Sequence, residues 1–285
     1  MIATSKSLPQ ENGLMQHKEL EINGQRVAYY ESDGKGSPVL FIHGNSLSSL
    51  SFARQLASPL GKNHRLVALD LPGHGRSAPA QDPRVTYTVP GYAKIVAGFA
   101  KALALDRAVL VGWSLGGHVL LEASEQLQNS PGLMLFGTPP VGKPMAAEAF
   151  LPCPTMGLMF TSELSTLEAE AATAEFFKPG SEIPPFFPED ILRTDGRARE
   201  ALGISIGEGR YADEVKIVTN LKKPLAMVHG IKDPLVNLSY LKGINMPTLW
   251  RGEIQIIPDA GHTPQWEQPE QFNRLLMEFV GDCGQ

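Results

Sequence analysis

The chain is poor in the residues that build covalent or metal scaffolds. Only two cysteines, Cys153 and Cys283, occur in 285 residues. They lack C-x-x-C spacing, so both read as free thiols rather than a disulfide or a metal site. The seven histidines, at 17, 43, 64, 74, 118, 229 and 262, show neither H-x-H nor H-E-x-x-H spacing, so no metal site is expected. No repeat, low-complexity tract or P-loop is present, and no cofactor is implied. Long apolar runs are also missing: no stretch reaches the roughly 18 apolar residues of a membrane span, and the first twelve residues lack the apolar core of an export signal. A cytoplasmic protein without membrane contact is therefore expected. Positive charge is in deficit, with 25 Lys and Arg against 30 Asp and Glu and a net charge of -5. That mean field repels nucleic acids and anionic membranes, which leaves small neutral molecules as partners; the oligomeric state is not legible.

What the chain does carry is Gly112-Trp113-Ser114-Leu115-Gly116, set between the strand-like run Ala108–Val111 and the helix-like run His118–Ala123. In that setting G-x-S-x-G forms a nucleophile elbow: the glycines let the backbone turn sharply from strand to helix, and Ser114 is left exposed at the tip. A nucleophilic serine needs a base, and the base an orienting carboxylate, in the chain order Ser, Asp or Glu, His. Lys223–Gly230 reads as a buried strand whose loop carries Asp233, and Glu253–Pro258 as the next strand, followed by Asp259-Ala260-Gly261-His262. Parallel strands end on one sheet edge, so Ser114, Asp233 and His262 can meet there. Asp259 is the fallback acid. His43 and His74 belong to turn motifs, and His118, four positions beyond Ser114, reads as a packing residue or a support to the site. His229 sits near the acid but points off a buried strand.

An oxyanion hole takes one backbone N–H after the nucleophile and another from the loop after the third strand. Leu115 and Asn45 occupy those positions, Asn45 within His43-Gly44-Asn45-Ser46 after the strand Pro38–Ile42. The Asn45 side-chain amide is read as a further donor to the oxyanion, each such donor contributing roughly 3 kcal/mol to the transition state.

Elsewhere Leu20–Tyr30 contains Asn23-Gly24, the strongest short hairpin signal, so the sheet should begin antiparallel. The apolar runs Val39–Ile42, Leu66–Leu69, Val109–Val111 and Leu133–Phe136, separated by helical segments, read as buried parallel strands. Val89–Leu105 and Gln268–Val280 read as amphipathic helices, the latter burying Phe272, Leu275, Leu276 and Phe279. Between about Val141 and Leu221 the pattern turns Ala-, Met-, Phe- and Pro-rich with no strand run. The expected organisation is an α/β core over 18–140 and 222–285 with a helical cap inserted at 141–221. Met156, Met159, Phe160, Phe176, Phe177, Phe186 and Phe187 read either as the lining of an acyl pocket or as packing of cap on core; Trp113 and Trp266 carry the same two readings.

The motifs H-G-N at His43, D-L-P-G-H-G-R-S at Asp70–Ser77, G-W-S-L-G-G-H at Gly112–His118 and D-A-G-H at Asp259–His262 resemble those of the α/β-hydrolase superfamily over about Glu19–Val280. The runs Gly132–Pro140 and Arg193–Arg199 look similar, more narrowly, to metal-independent N-acyl-homoserine-lactone lactonases, the quorum-quenching enzymes. That resemblance implies an α/β-hydrolase fold, a mostly parallel sheet with flanking helices and an inserted cap. It also implies a serine hydrolase that opens the lactone ring through a Ser114–His262–Asp233 acyl-enzyme mechanism, with Asn45 and Leu115 as oxyanion hole. Met156, Phe160, Phe177, Trp113 and Trp266 are the substrate-binding candidates for a small apolar ester or lactone. Two departures stand out. Relatives can carry glutamate where this chain has Asp233, and no tyrosine lies between Tyr92 and Tyr211 to serve as a cap tyrosine. The alternatives are a carboxylesterase or carbon–carbon bond hydrolase with the same triad, and, in a different class, a ligand receptor on a hydrolase fold.

The histidine spacing generates a first prediction: activity survives prolonged EDTA or phenanthroline treatment and falls with a serine-directed phosphonate. Loss on chelation with recovery on adding zinc refutes the serine mechanism.

Overall fold

The computed structural model describes residues 15–284; the leading segment examined above for an export signal lies outside the described residues. One eight-stranded sheet runs in the order β1-β2-β4-β3-β5-β6-β7-β8. Its strands are β1 Gln16–Ile22, β2 Gln25–Glu31, β3 Gly36–Ile42, β4 His64–Leu69, β5 Val109–Trp113, β6 Leu133–Phe136, β7 Leu225–Gly230 and β8 Gln255–Ile257. β1 and β2 form an antiparallel hairpin. Its turn residues Asn23 and Gly24 have φ of 52° and 76°, the doubly positive pair that matches strand twist. β2 pairs antiparallel with β4, and from β4 to β8 every pairing is parallel. The parallel strands are apolar and buried on both faces because helices cover both. Val39, Leu40, Phe41 and Ile42 of β3 are all inaccessible.

The longer helices are α1 Val89–Ala102, α2 Leu115–Glu122, α3 Thr166–Ala174, α4 Phe186–Arg193, α5 Gly196–Gly207, α6 Glu214–Asn220 and α7 Pro269–Cys283. Several start where the sequence supplies a helix-starting signal. Thr88 accepts from Gly91 N–H ahead of α1 with Pro90 in the first turn, and Ser165 and Glu168 close a reciprocal capping box on α3. In α7, Phe272, Leu276 and Phe279 are fully buried, and Leu275, expected with them, sits half out at the edge of the stripe.

β3 is followed in sequence by β4 on one side, whereas β5 returns to pair on the other side. This is the switch point at which parallel sheets open a crevice beyond their carboxyl ends. Between β6 and β7 the chain leaves the sheet. Its regular elements there are helical, α3 to α6 with 3-10 turns at Ala147–Ala149 and Met156–Phe160, apart from one isolated bridge of Phe150 to Val236.

Two charged side chains hold this inserted segment, and both lie in the Arg193–Arg199 run. Asp195 caps α5 by accepting from Arg197 N–H, accepts the Tyr87 hydroxyl, and donates its own N–H to Gly73 O in the core. Arg199, 2% exposed, donates to three backbone carbonyls, those of Thr161 (2.6 Å), Ile191 (2.9 Å) and Ser162 (2.7 Å). These carbonyls lie outside regular ladders, so a guanidinium fork satisfies them where no N–H is available. Arg199→Met keeps the stem and strands the carbonyls, and should lower unfolding stability by about 3 kcal/mol. The denaturant midpoint measures this; an unchanged midpoint removes the staple role.

Candidate active site

Ser114 sits where β5 ends and α2 begins, with φ 51° and ψ -120°, a strained conformation for a residue with a Cβ. The surroundings over-determine it: Ser114 N–H donates to Phe136 O at 3.0 Å, and its own carbonyl accepts from the Thr138 hydroxyl at 2.9 Å. The elbow closes only because of its glycines. A Cβ on Gly116 would lie 2.1 Å from Ile42 O, and one on Gly112 would lie 2.6 Å from Gly117 Cα.

His262, 3% exposed, places Nδ1 2.8 Å from Asp233 Oδ2. The other carboxylate oxygen, Oδ1, accepts from Leu235 N–H (2.8 Å) and Val236 N–H (3.1 Å). Burial pushes the Asp233 carboxyl upward. The neighbouring His262, its hydrogen bond and the Leu235 N–H more than offset this, leaving the group below the usual carboxylate range. Asp233 is thus ionised, acceptor-only, and able to hold Nδ1–H in place so that Nε2 faces the cavity side. Trp113 Nε1–H fixes the same loop by donating to His262 O at 2.9 Å. Asp259, the fallback acid, has φ 59° and its side chain is half exposed between Lys178 and Lys232. It makes no contact with His262 among the hydrogen bonds of the described residues.

Neither Asn45 N–H nor Leu115 N–H has a hydrogen-bond partner among the described residues. Two unspent donors beside a strained serine are what a developing oxyanion requires. The Asn45 side chain departs from the expectation for it: Nδ2 donates to Met159 O at 2.7 Å and Oδ1 accepts from the Ser46 hydroxyl at 3.2 Å. That amide ties the loop after β3 to the 3-10 turn of the inserted segment, which leaves the backbone N–H as the unspent donor of Asn45.

Ser114, Leu115, Asn45 and His262 all border one cavity of about 380 Å³, large enough for a small ligand. Of the substrate-binding candidates, Trp113, Met156 and Phe160 line it, and Phe177 and Trp266 do not. Phe177 stands edge-on to Phe187, and Trp266 packs against Phe186 and Phe187 with the Arg54 guanidinium 4.4 Å from its ring. This aromatic cluster joins the insert to the core, the packing alternative for those residues. Met159 and Phe176 line the cavity.

Several lining residues escaped the sequence. Val89, Leu202 and Ile206 come from α1 and α5, whose apolar positions looked like ordinary core. Tyr211, which the sequence reading set aside as the boundary of a tyrosine-free stretch, reaches the cavity, as do His118 and Glu214. Gly137 was legible only as part of a family-like run. It has φ +58°, and a Cβ there would lie 2.6 Å from His262 Cε1, so the catalytic-type ring lies against bare backbone. Glu267 accepts from Gly261 N–H, the Thr263 hydroxyl, Lys178 N–H and the Ser181 hydroxyl, which braces the His262 loop against the insert.

The other histidines have structural geometry. His43 Nδ1–H donates to Gly44 O and its Nε2 accepts from Leu71 N–H; burial holds its pKa down to about 4. His74, pushed down to about 3 mainly by burial, hydrogen-bonds Pro72 O and packs against His43 and Tyr92. His229 is buried beside Asp233 and does not line the cavity.

The model of the alpha/beta hydrolase family matches residues 39–275. The chain belongs to the alpha/beta hydrolase family. Among solved structures it is similar to the N-acyl homoserine lactonase AidH complexed with N-butanoyl homoserine. The TM-score is 0.91 at 37% identity, covering 95% of this chain and 98% of that one. An AidH mutant complexed with N-hexanoyl homoserine lactone matches with a TM-score of 0.90 at 36% identity, covering 94% and 98%. Among curated proteins it is similar to the dihydrolipoyllysine-residue acetyltransferase component of the acetoin cleaving system of Cupriavidus necator. That match is 28% identical, covering 95% of this chain and 71% of the relative. It is also similar to a 2-hydroxy-6-oxononadienedioate/2-hydroxy-6-oxononatrienedioate hydrolase of Burkholderia vietnamiensis, 23% identical and covering 90% and 91%.

The geometry predicts that Ser114→Ala and Asp233→Asn each lower kcat on the order of 10⁴-fold in folded protein, whereas Asp259→Asn stays within about threefold. Gly137→Ala, by displacing the His262 ring, should cost at least about tenfold. Steady-state kinetics on a p-nitrophenyl ester reads all four; an active Asp233→Asn with an inactive Asp259→Asn reverses the choice of acid.

Proposed function

We propose that this chain is a serine hydrolase that opens the lactone ring of N-acyl homoserine lactones, with residues 141–221 acting as the cap over its pocket. The observation that carries the reading is the pair of unpartnered N–H groups, Asn45 and Leu115, flanking a strained Ser114 on a cavity that also holds His262. The similarity to AidH supplies the substrate class. In the proposed reaction Ser114 Oγ attacks the lactone carbonyl while His262 Nε2 takes the hydroxyl proton, and the oxyanion rests on the two N–H groups. Collapse breaks the ring C–O bond, and the imidazolium returns its proton to the leaving alkoxide. The alkoxide remains tethered to the acyl-enzyme and would reclose the ring if left unprotonated, so prompt proton return matters more than for an open ester. Water, deprotonated by His262, then cleaves the acyl-enzyme to N-acyl homoserine and regenerates Ser114. Ionised Asp233 stabilises the imidazolium in both halves. A cytoplasmic site of action belongs to the same proposal.

The similarity to dienedioate hydrolases favours a second reading, carbon–carbon bond hydrolysis. The cavity argues against a dioate substrate: no Lys or Arg lines it, while the Glu214 carboxylate does. Two substrate carboxylates would enter an apolar site without a countercharge, at a cost of several kcal/mol each. Methionine, phenylalanine and leucine walls suit an alkyl chain instead.

Incubation of the purified protein with N-acyl homoserine lactones of several chain lengths tests the proposal by product mass. Gain of one water, abolished in Ser114→Ala, supports it. Release of free homoserine lactone shows amide cleavage instead, and no turnover of any lactone alongside turnover of linear esters moves the protein to the carboxylesterases.

A further inference from the structure

Glu214 and His118 form a second histidine–carboxylate pair on the same cavity, one that the mechanism above leaves unused. Glu214 opens α6 and is 1% exposed. Its two carboxylate oxygens each lie 2.9 Å from His118 Nδ1, and Oε2 also accepts from Val141 N–H at 2.9 Å. Its own N–H donates to Val141 O at 2.8 Å. Glu214 is therefore anchored to the strand-to-insert junction through its backbone N–H and one carboxylate oxygen. Because a carboxylate only accepts, Nδ1 must carry the proton it shares. The remaining nitrogen, Nε2, has no hydrogen-bond partner among the described residues, and the His118 side chain is partly accessible and lines the cavity.

A polar atom so placed stands out in a pocket whose walls include Val89, Val141, Leu202 and Ile206. Packing alone would be served better by an apolar residue, since a buried carboxylate and an imidazole both lose hydration. His118 lies four residues after Ser114 along α2, with its N–H on Ser114 O. That bond sets the His118 backbone one helical turn beyond Ser114, and both residues border the same cavity. In an α-acylamino lactone the amide nitrogen is bonded to the carbon next to the scissile carbonyl, a few ångströms from the atom Ser114 attacks.

We propose that His118, oriented by Glu214, is a specificity-determining residue whose Nε2 accepts the N–H of a secondary amide adjacent to the scissile carbonyl. This rests on the acyl-homoserine-lactone reading for its substrate. The cavity then sorts esters by two independent features, the apolar chain and one N–H next to the reacting centre. A site built to pair such a group rejects an analogue lacking it more strongly than apolar walls reject a change in chain length.

The test measures kcat/KM for an N-acyl homoserine lactone, its N-methyl amide counterpart and an α-alkyl-γ-butyrolactone of equal chain length. Wild type, His118→Phe and His118→Gln are compared. The wild-type enzyme should prefer the N–H substrate over both analogues by about tenfold or more, mainly through KM. His118→Phe should abolish that preference, and His118→Gln, which keeps a donor toward Glu214 and a free acceptor, should restore part of it. An equal fall on all substrates, leaving the preference intact, overturns the proposal in favour of packing; so does a wild-type enzyme indifferent to N-methylation, a result that stands even where the phenylalanine variant does not fold. If no lactone is opened, the reading under Proposed function fails separately. The His118 inference is then decided on p-nitrophenyl esters of an N-acylglycine, its N-methyl form and a fatty acid, where the same preference is expected.

Discussion

Parallel pairing of β3 with β5 is the constraint on which the site depends. The register sets Ile42 beside Gly112, so the two strands end together, and the loop leaving β3 and the elbow leaving β5 emerge side by side. A Cβ on Gly44 would lie 3.3 Å from the Ser114 Cβ. The proposed oxyanion donors, Asn45 N–H and Leu115 N–H, come from two segments far apart in the chain, and one ladder of backbone hydrogen bonds brings those segments together. Preorganisation of this kind costs nothing at the moment of reaction, because the donors are already desolvated, already aimed and already without a competing partner. The strain at Ser114 is sustained by the next ladder, β5 with β6, through Phe136 on the far side of β5.

The inserted segment is bound to the core by polar contacts made at its edges rather than by a broad polar face. Asn45 holds Met159, Asp195 holds Tyr87 and Gly73, Glu214 holds His118, and Glu267 holds Lys178 and Ser181. Between them the contact is apolar, through Phe176, Phe177, Phe186, Phe187 and Trp266. Directional bonds at the rim set where the insert sits, and apolar packing supplies the stabilisation. Two of these bonds start from the oxyanion loop and from the base loop, so the position of the insert and the geometry of the reacting groups are coupled. This gives the wall of the pocket and the floor of the site a common reference frame.

Charge within the site is handled by pairing, not by exposure. Asp233 is buried yet ionised because two backbone N–H groups and one imidazole replace its water. Glu214 has a comparable set of partners, one N–H and one imidazole. Asp190, buried near Asp70 with only the Ser48 hydroxyl and a distant Arg193, is instead pushed up to about 7, chiefly by burial. The contrast follows from hydrogen-bond count: burial raises a carboxyl unless enough donors face the charged form.

The chain by itself determined its strands, its elbow and its Ser, Asp and His, because these rest on local rules. Apolar runs of three or four residues between helical segments make buried parallel strands, Asn-Gly makes a tight hairpin, and glycines on both sides of Ser114 permit a turn that few other sequences adopt. The order of the three polar residues along the chain, each just past a strand, then places them on one edge. Local rules could not tell Trp113 from Trp266, or Phe176 from Phe177, since neighbouring aromatic residues with the same propensity are separated only by the direction in which an irregular segment presents them. They could not show that Asn45 Nδ2 is spent on Met159, that Gly137 is glycine to admit the His262 ring, or that His118 meets Glu214 across 96 residues. Those facts depend on where the insert folds back over the sheet. That placement is settled by long-range contacts whose partners the sequence does not mark.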